Sequence, residues 1–153
     1  MTDAFRHRTP LQVRFRDTDA FGHVNTAVFA TYVELARVRY LIDVLQPERP
    51  FQRMPLILAR LEIDFRSPIE LGDEVAVHSR VDRIGRSSIG MGHRMTAGTD
   101  GRLAAEVASV IVVYDYETQS PMPVPDDWRE RIGAFENRSF QTDALRPEAA
   151  AAG

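Results

Sequence analysis

Cysteine is absent from the 153-residue chain. That excludes disulfides, thiolate metal centres and a cysteine nucleophile. Basic residues are scarce relative to acidic ones, 19 against 22, giving a net charge of −3. Such a balance excludes a role resting on non-specific nucleic-acid binding, which needs many phosphates neutralised. No apolar stretch approaches the length that crosses a bilayer. The first ten positions are polar, with Arg6, His7 and Arg8 and no apolar run behind them, so they do not read as a secretory signal. A cytoplasmic protein without nucleic-acid or membrane partners is expected. The metal-protease, serine-hydrolase, phosphate-loop and dinucleotide patterns are also missing.

What remains is an ordinary globular composition, 44% hydrophobic and 27% charged, with the length of one domain. Leu11, Val13 and Phe15 alternate with polar neighbours and predict a strand. Asp17 to Asn25 reads as a loop punctuated by Gly22. From Thr26 to about Leu45 the period becomes helical, through Phe29, Tyr32, Val33, Ala36, Tyr40, Leu41 and Val44. Asn25 or Thr26 suits the N-cap and Pro47 the stop. Strands follow around Leu61–Phe65, Val75–Val81, Ile89–Met95 and Leu103–Tyr116. Asp126–Phe135 predicts a short helix. The expected organisation is one domain over residues 1–137 and a disordered tail over 138–153. A lone long helix with a broad apolar face packs most cheaply into the concave side of the sheet that follows it.

Chemistry concentrates between the first strand and that helix. Asp17, Asp19, Gly22, His23 and Asn25 fall within nine positions. A carboxylate is charged near neutral pH and serves as a base or nucleophile. A helix start offers unpaired N–H groups to a developing oxyanion. The residues also admit plainer readings: Asp17 and Asp19 as turn formers, Asn25 as a cap, and Glu34 with Arg37 as an ion pair three apart on the helix. The paired reading of Glu34 and Arg37 is preferred. Asp17, Asp19 and His23 could in principle bind a metal through oxygen and nitrogen, a reading disfavoured because no further ligand cluster is evident.

Taken together, Asp17-x-Asp19-x-x-Gly22-His23-Val24-Asn25, then Phe29, Tyr32, Glu34 and Arg37, resembles the hotdog-fold acyl-CoA thioesterases of the 4-hydroxybenzoyl-CoA thioesterase family. Leu61 to Pro68 with Gly72-Asp73 extends the likeness, which covers about Leu11 to Tyr116. The resemblance implies an α+β hotdog fold, a curved antiparallel sheet wrapped around one long central helix. It implies a homodimer or homotetramer paired through sheet edges, with active sites at the subunit interface. The substrate would be acyl-CoA, or an acyl group on acyl carrier protein, with no cofactor. Asp19 would be the catalytic carboxylate. Thr26, helped by Asn25, would polarise the thioester carbonyl. His23 and Phe29 would meet the acyl end, and Arg86, Ser87 and Ser88 the coenzyme A phosphates. Asp17 would brace the loop or join hydrogen bonds around Arg16. Two alternatives stand beside hydrolysis. A hotdog hydratase or dehydratase is disfavoured because Asp19 and His23 are four apart and no proline follows Asn25. A non-catalytic acyl-thioester binder has no positive support while Asp19 is present.

Overall fold

The computed structural model describes residues 4–140. In chain order the elements are β1 (His7–Gln12), α1 (Thr26–Leu45), β2 (Leu56–Phe65), β3 (Glu74–Ile84), β4 (Ser88–Ala97), β5 (Arg102–Asp115), β6 (Ser120–Pro121) and α2 (Asp126–Glu136). The sheet order is β1-β3-β4-β5-β2, with β6 added to β5. Each of these pairings is antiparallel. Register breaks between Leu58 and Arg60, Val81 and Arg83, and Met95 and Thr96. Bulges of this kind bend and twist a strand, and they let the sheet curl over α1. This is the hotdog architecture that the resemblance implies.

α1 forms where the helical period predicts. Phe29, Tyr32, Val33, Ala36, Tyr40, Leu41 and Val44 are all buried. Burying each large apolar member of that stripe is worth about 1.5–3 kcal/mol. Gln46 ends the helix in a left-handed conformation and returns its N–H to Ile42 O at 3.0 Å; Pro47 then prevents continuation. The core has two clusters, one around Val33 and Val77, the other around Tyr40, Met91 and Ile132. On the sheet, a polar rung is buried among these apolar side chains: His93 is hydrogen-bonded to Ser79 Oγ through Nδ1 (2.9 Å) and to Ser109 Oγ through Nε2 (3.1 Å). Burial pushes the His93 pKa down to about 3, so the ring is neutral and structural.

Three expectations need correction. The first strand runs over His7–Gln12 rather than to Phe15, because Phe15–Asp17 winds into a 3-10 turn that leaves Phe15 exposed. β2 begins five residues before Leu61, as an apolar run without clear alternation. Arg37 does not pair closely with Glu34; it turns inward and is buried, and desolvation lowers its pKa against the raising effect of Glu34.

α2 is latched to the rest by Glu136. Its carboxylate accepts Tyr40 Oη–H at 2.5 Å and Val81 N–H at 2.9 Å. Val81 stands at a β3 bulge, so this contact satisfies an amide beside the break in the ladder. Phe140 is buried against the same cluster. The rest of the expected tail, 141–153, lies outside the described residues. Among the described residues no helix is long and apolar enough to cross a membrane.

Candidate active site

The loop between β1 and α1 folds back on itself as a miniature antiparallel ladder. Asn25 N–H donates to Asp17 O (2.8 Å), Thr18 and Val24 form a bridge, and Asp19 N–H donates to His23 O (2.8 Å). Gly22 closes the tip with φ +80°, a conformation that favours glycine. Val24 N–H reaches Ile69 O at 2.7 Å, and His23 bridges Glu70. The loop is thereby fastened to the β2–β3 connection. Asp19 thus lies two rungs from the helix cap, about 7 Å along a strand.

Asp17 holds the base of this ladder. It is 2% exposed. It accepts Arg14 N–H (2.9 Å), Arg14 Nη2 (2.9 Å) and Tyr32 Oη–H (2.8 Å). The Arg14 side-chain hydrogen bonds, opposed by burial and helped by the Arg14 amide and Tyr32, hold the Asp17 carboxyl at about 2. Bracing by Asp17 agrees with the sequence reading, but its basic partner is Arg14 and not Arg16. Tyr32, one turn beyond Phe29, is the link between loop and helix; the sequence pattern includes it but gives it no partner in the loop.

The amides opening α1 are nearly all engaged. Asn25 is the N-cap, and its Oδ1 accepts Ala27 N–H at 2.9 Å. Asn25 N–H goes to Asp17 O and Val28 N–H to Asn25 O. Among the described residues no hydrogen bond claims Thr26 N–H. Asp19 is half-exposed; its Oδ1 accepts Phe21 N–H at 2.9 Å and its Oδ2 has no hydrogen-bond partner among the described residues. An unclaimed donor at a helix N-terminus and a carboxylate with one unbonded oxygen therefore belong to the same short ladder, two rungs apart. A free helix-start N–H is a group that can polarise a carbonyl, and a carboxylate one that can act as base or nucleophile.

The remaining expected site residues are dispersed. His23 directs its ring toward Glu70, Nε2 to Oε1 4.0 Å, with both side chains substantially exposed. Phe29 is buried and stacks edge-on against Phe65 (centroids 5.1 Å), which is half-exposed. Phe65 is an apolar surface that the sequence reading left without a site role, and Phe21, which together with Phe29 and Tyr32 hints at an apolar acyl group, is exposed in the loop. Arg86, Ser87 and Ser88 lie in and just after the turn from β3 to β4. Within one protomer that turn is far from Asp19. The β1–α1 loop sits at the sheet end where β3 begins, and the turn where β3 finishes, 11 residues on, or about 30 Å. Among the described residues no group of three or more His, Asp or Glu side chains is placed to hold a metal ion.

A half-barrel sheet around one helix, with a carboxylate loop feeding that helix, defines a hotdog enzyme. The chain belongs to the thioesterase-like superfamily, whose model matches residues 13–132, and it is a thioester hydrolase. A solved thioesterase from Thermus thermophilus, described in complex with coenzyme A and zinc, is 42% identical. The likeness covers 91% of this chain and 100% of that one, with a TM-score of 0.81. The long-chain acyl-CoA thioesterase FadM of Escherichia coli is 25% identical over 82% of this chain and 96% of its own length. The chloroplastic acyl-acyl carrier protein thioesterase ATL3 of Arabidopsis thaliana is 27% identical over 84% of this chain and 68% of its own length.

Proposed function

We propose that the protein hydrolyses acyl-CoA to the free acid and coenzyme A, with Asp19 and Thr26 N–H as its reacting groups. The thioester carbonyl oxygen accepts Thr26 N–H. Asp19 supplies the electron pair, directly to the carbonyl carbon or through a water whose proton it takes. The C–O bond forms, negative charge collects on the carbonyl oxygen, and the C–S bond then breaks. The thiolate of coenzyme A leaves and is protonated; on the direct route a water then attacks the acyl–Asp19 anhydride, breaking its C–O bond to release the acid and restore the carboxylate. The acyl group lies against Phe65 and Phe21, with Phe29 beneath, and His23 borders the entrance.

The observation that carries this reading is that the ladder ending at the unclaimed Thr26 N–H also holds Asp19, two rungs away and with one carboxylate oxygen unbonded among the described residues. A lost oxyanion donor typically costs about 2.7–4 kcal/mol of barrier, so a helix that leaves this amide unspent is well suited to acyl transfer. The names of the Thermus and Escherichia relatives support coenzyme A as the carrier; that of the Arabidopsis relative makes acyl carrier protein the carrier to compare.

The proposed site spans two protomers. β2 is an edge strand of 10 residues with Ile57, Leu58 and Phe65 exposed, and such an edge invites pairing. Antiparallel pairing of two β2 strands across a two-fold axis brings the Phe65 end of one to the Leu56 end of the other. Leu56 pairs with Val113 of β5, and Ser88 with Val112. The partner's 85–88 turn is thereby carried toward this protomer's Asp19, which offsets the separation of about 30 Å within one chain. Arg86 is exposed, and the chain's 19 basic residues are all arginine, the side chain suited to forked phosphate contacts. A thiol-release assay across aliphatic and aromatic acyl-CoAs and acyl carrier protein thioesters tests the reading. Release of free thiol is expected. Conversion of an enoyl thioester with the thioester retained would instead mark a hydratase, and tight binding without turnover a binding protein.

A further inference from the structure

The β3–β4 turn is not shaped by its own residues alone. Its carbonyls are all bonded inward. Arg129 of α2 donates from Nη2 to Gly85 O (2.5 Å) and to Arg86 O (3.3 Å). Val124 N–H adds a second bond to Arg86 O (2.7 Å). Ser87 O accepts Val113 N–H and Ser88 O accepts Gly85 N–H, both at 2.8 Å. With its backbone carbonyls spent, the turn keeps the exposed Arg86 side chain and the amides of Arg86 and Ser87, which donate no backbone hydrogen bond among the described residues. Backbone amides, a guanidinium and two hydroxyls, with the backbone carbonyls already bonded, are a set of donors that suits a phosphate.

Arg129 itself is 8% exposed. Its Nη1 donates to Phe140 O at 3.2 Å, so its fork is fixed from both sides. A buried guanidinium spent on backbone carbonyls, where a carboxylate partner would be usual, orients a turn. We propose that Arg129 is a positioning residue for the nucleotide end of coenzyme A: it sets the β3–β4 turn so that Arg86, Ser87 and Ser88 meet the phosphates. The inference rests on the proposed acyl-CoA reading. It assigns to α2, which lies on a separate element from the reacting groups, a part in substrate affinity.

The test compares two substrates carrying the same acyl group in the full-length protein: the fastest acyl-CoA from the thiol-release screen and its S-acyl-N-acetylcysteamine analogue, which has no nucleotide phosphate. Arg129→Met is expected to raise KM for acyl-CoA roughly tenfold, the loss of a charge-assisted contact, with kcat held. It should leave kcat/KM for the analogue unchanged. A merely structural role lowers both substrates together. Arg129→Lys retains the charge and a bond to Gly85 O, and should fold and show a smaller rise; it decides the matter if the methionine variant does not fold. Arg86→Ala provides the control. If Arg86→Ala raises KM for acyl-CoA while folded Arg129 variants do not, the role of Arg129 is overturned alone. If Arg86→Ala also leaves KM unchanged, the phosphate-binding turn itself is overturned.

Discussion

Two aspartates two positions apart do opposite work, and their surroundings decide which. Asp19 keeps an oxygen open to solvent, whereas Asp17 spends its carboxylate on Arg14 and Tyr32. Asp19→Asn preserves size and the bond from Phe21 N–H but removes the negative charge that makes the carboxylate a base and nucleophile. It should lower kcat by roughly a thousandfold or more while the thermal midpoint stays within a few degrees; thiol release beside a melting curve checks this. Asp17→Ala should instead destabilise the fold by about 2–3 kcal/mol, since the buried Tyr32 hydroxyl and Arg14 amide lose their acceptor. The folded Asp17 carboxyl sits near 2, below its ordinary 3.8. Its stabilisation is therefore complete above the ordinary carboxylate range and is lost as pH falls through about 2. Denaturant titrations at neutral pH and near pH 2 should show a large gap between wild type and Asp17→Asn at the first and a small one at the second. The aspartate pair was legible in the sequence, and so was Asn25 as the cap. The partners of Asp17 were not. Tyr32 is 15 residues away and read as part of the apolar stripe and of the motif, with nothing to tie its hydroxyl to Asp17, while Arg14 read as the polar phase of a strand.

At the level of elements, local period and end signals located α1, β3, β4 and β5. They failed where a side chain overrode the period. The alternation of Val13 and Phe15 continues the first strand on paper, but Asp17 captures the Arg14 amide and winds the chain into a turn. β2 escaped notice over Leu56–Leu58 because an apolar run on an exposed edge has no inside and outside to alternate. α2 was legible as a helix, yet neither of its anchors was, since Glu136 and Arg129 find partners more than 40 residues away. The Glu136 latch makes a clear prediction. Glu136→Gln retains an acceptor for Tyr40 and Val81 and should cost under about 1 kcal/mol. Glu136→Ala leaves a buried hydroxyl and a buried amide unpaired and should cost about 3 kcal/mol. Urea unfolding monitored at Trp128, on α2 itself, measures both.

The whole molecule is half of the proposed enzyme. Each protomer holds a carboxylate loop at one end of its sheet and an arginine-bearing turn at the other, and one substrate cannot use both from a single chain if they stand about 30 Å apart. The proposed two-fold pairing through β2 would make two identical sites, each with Asp19 from one protomer and the turn from its partner. Complementation tests this most directly. Asp19→Asn and Arg86→Glu homodimers should each be nearly inactive at acyl-CoA concentrations far below KM. Mixing equal amounts under subunit exchange produces heterodimers in which one site carries both lesions and the other carries neither. Recovery to about a quarter of wild-type activity is expected, since half the dimers are mixed and half their sites intact. No recovery despite demonstrated exchange would contradict a shared site.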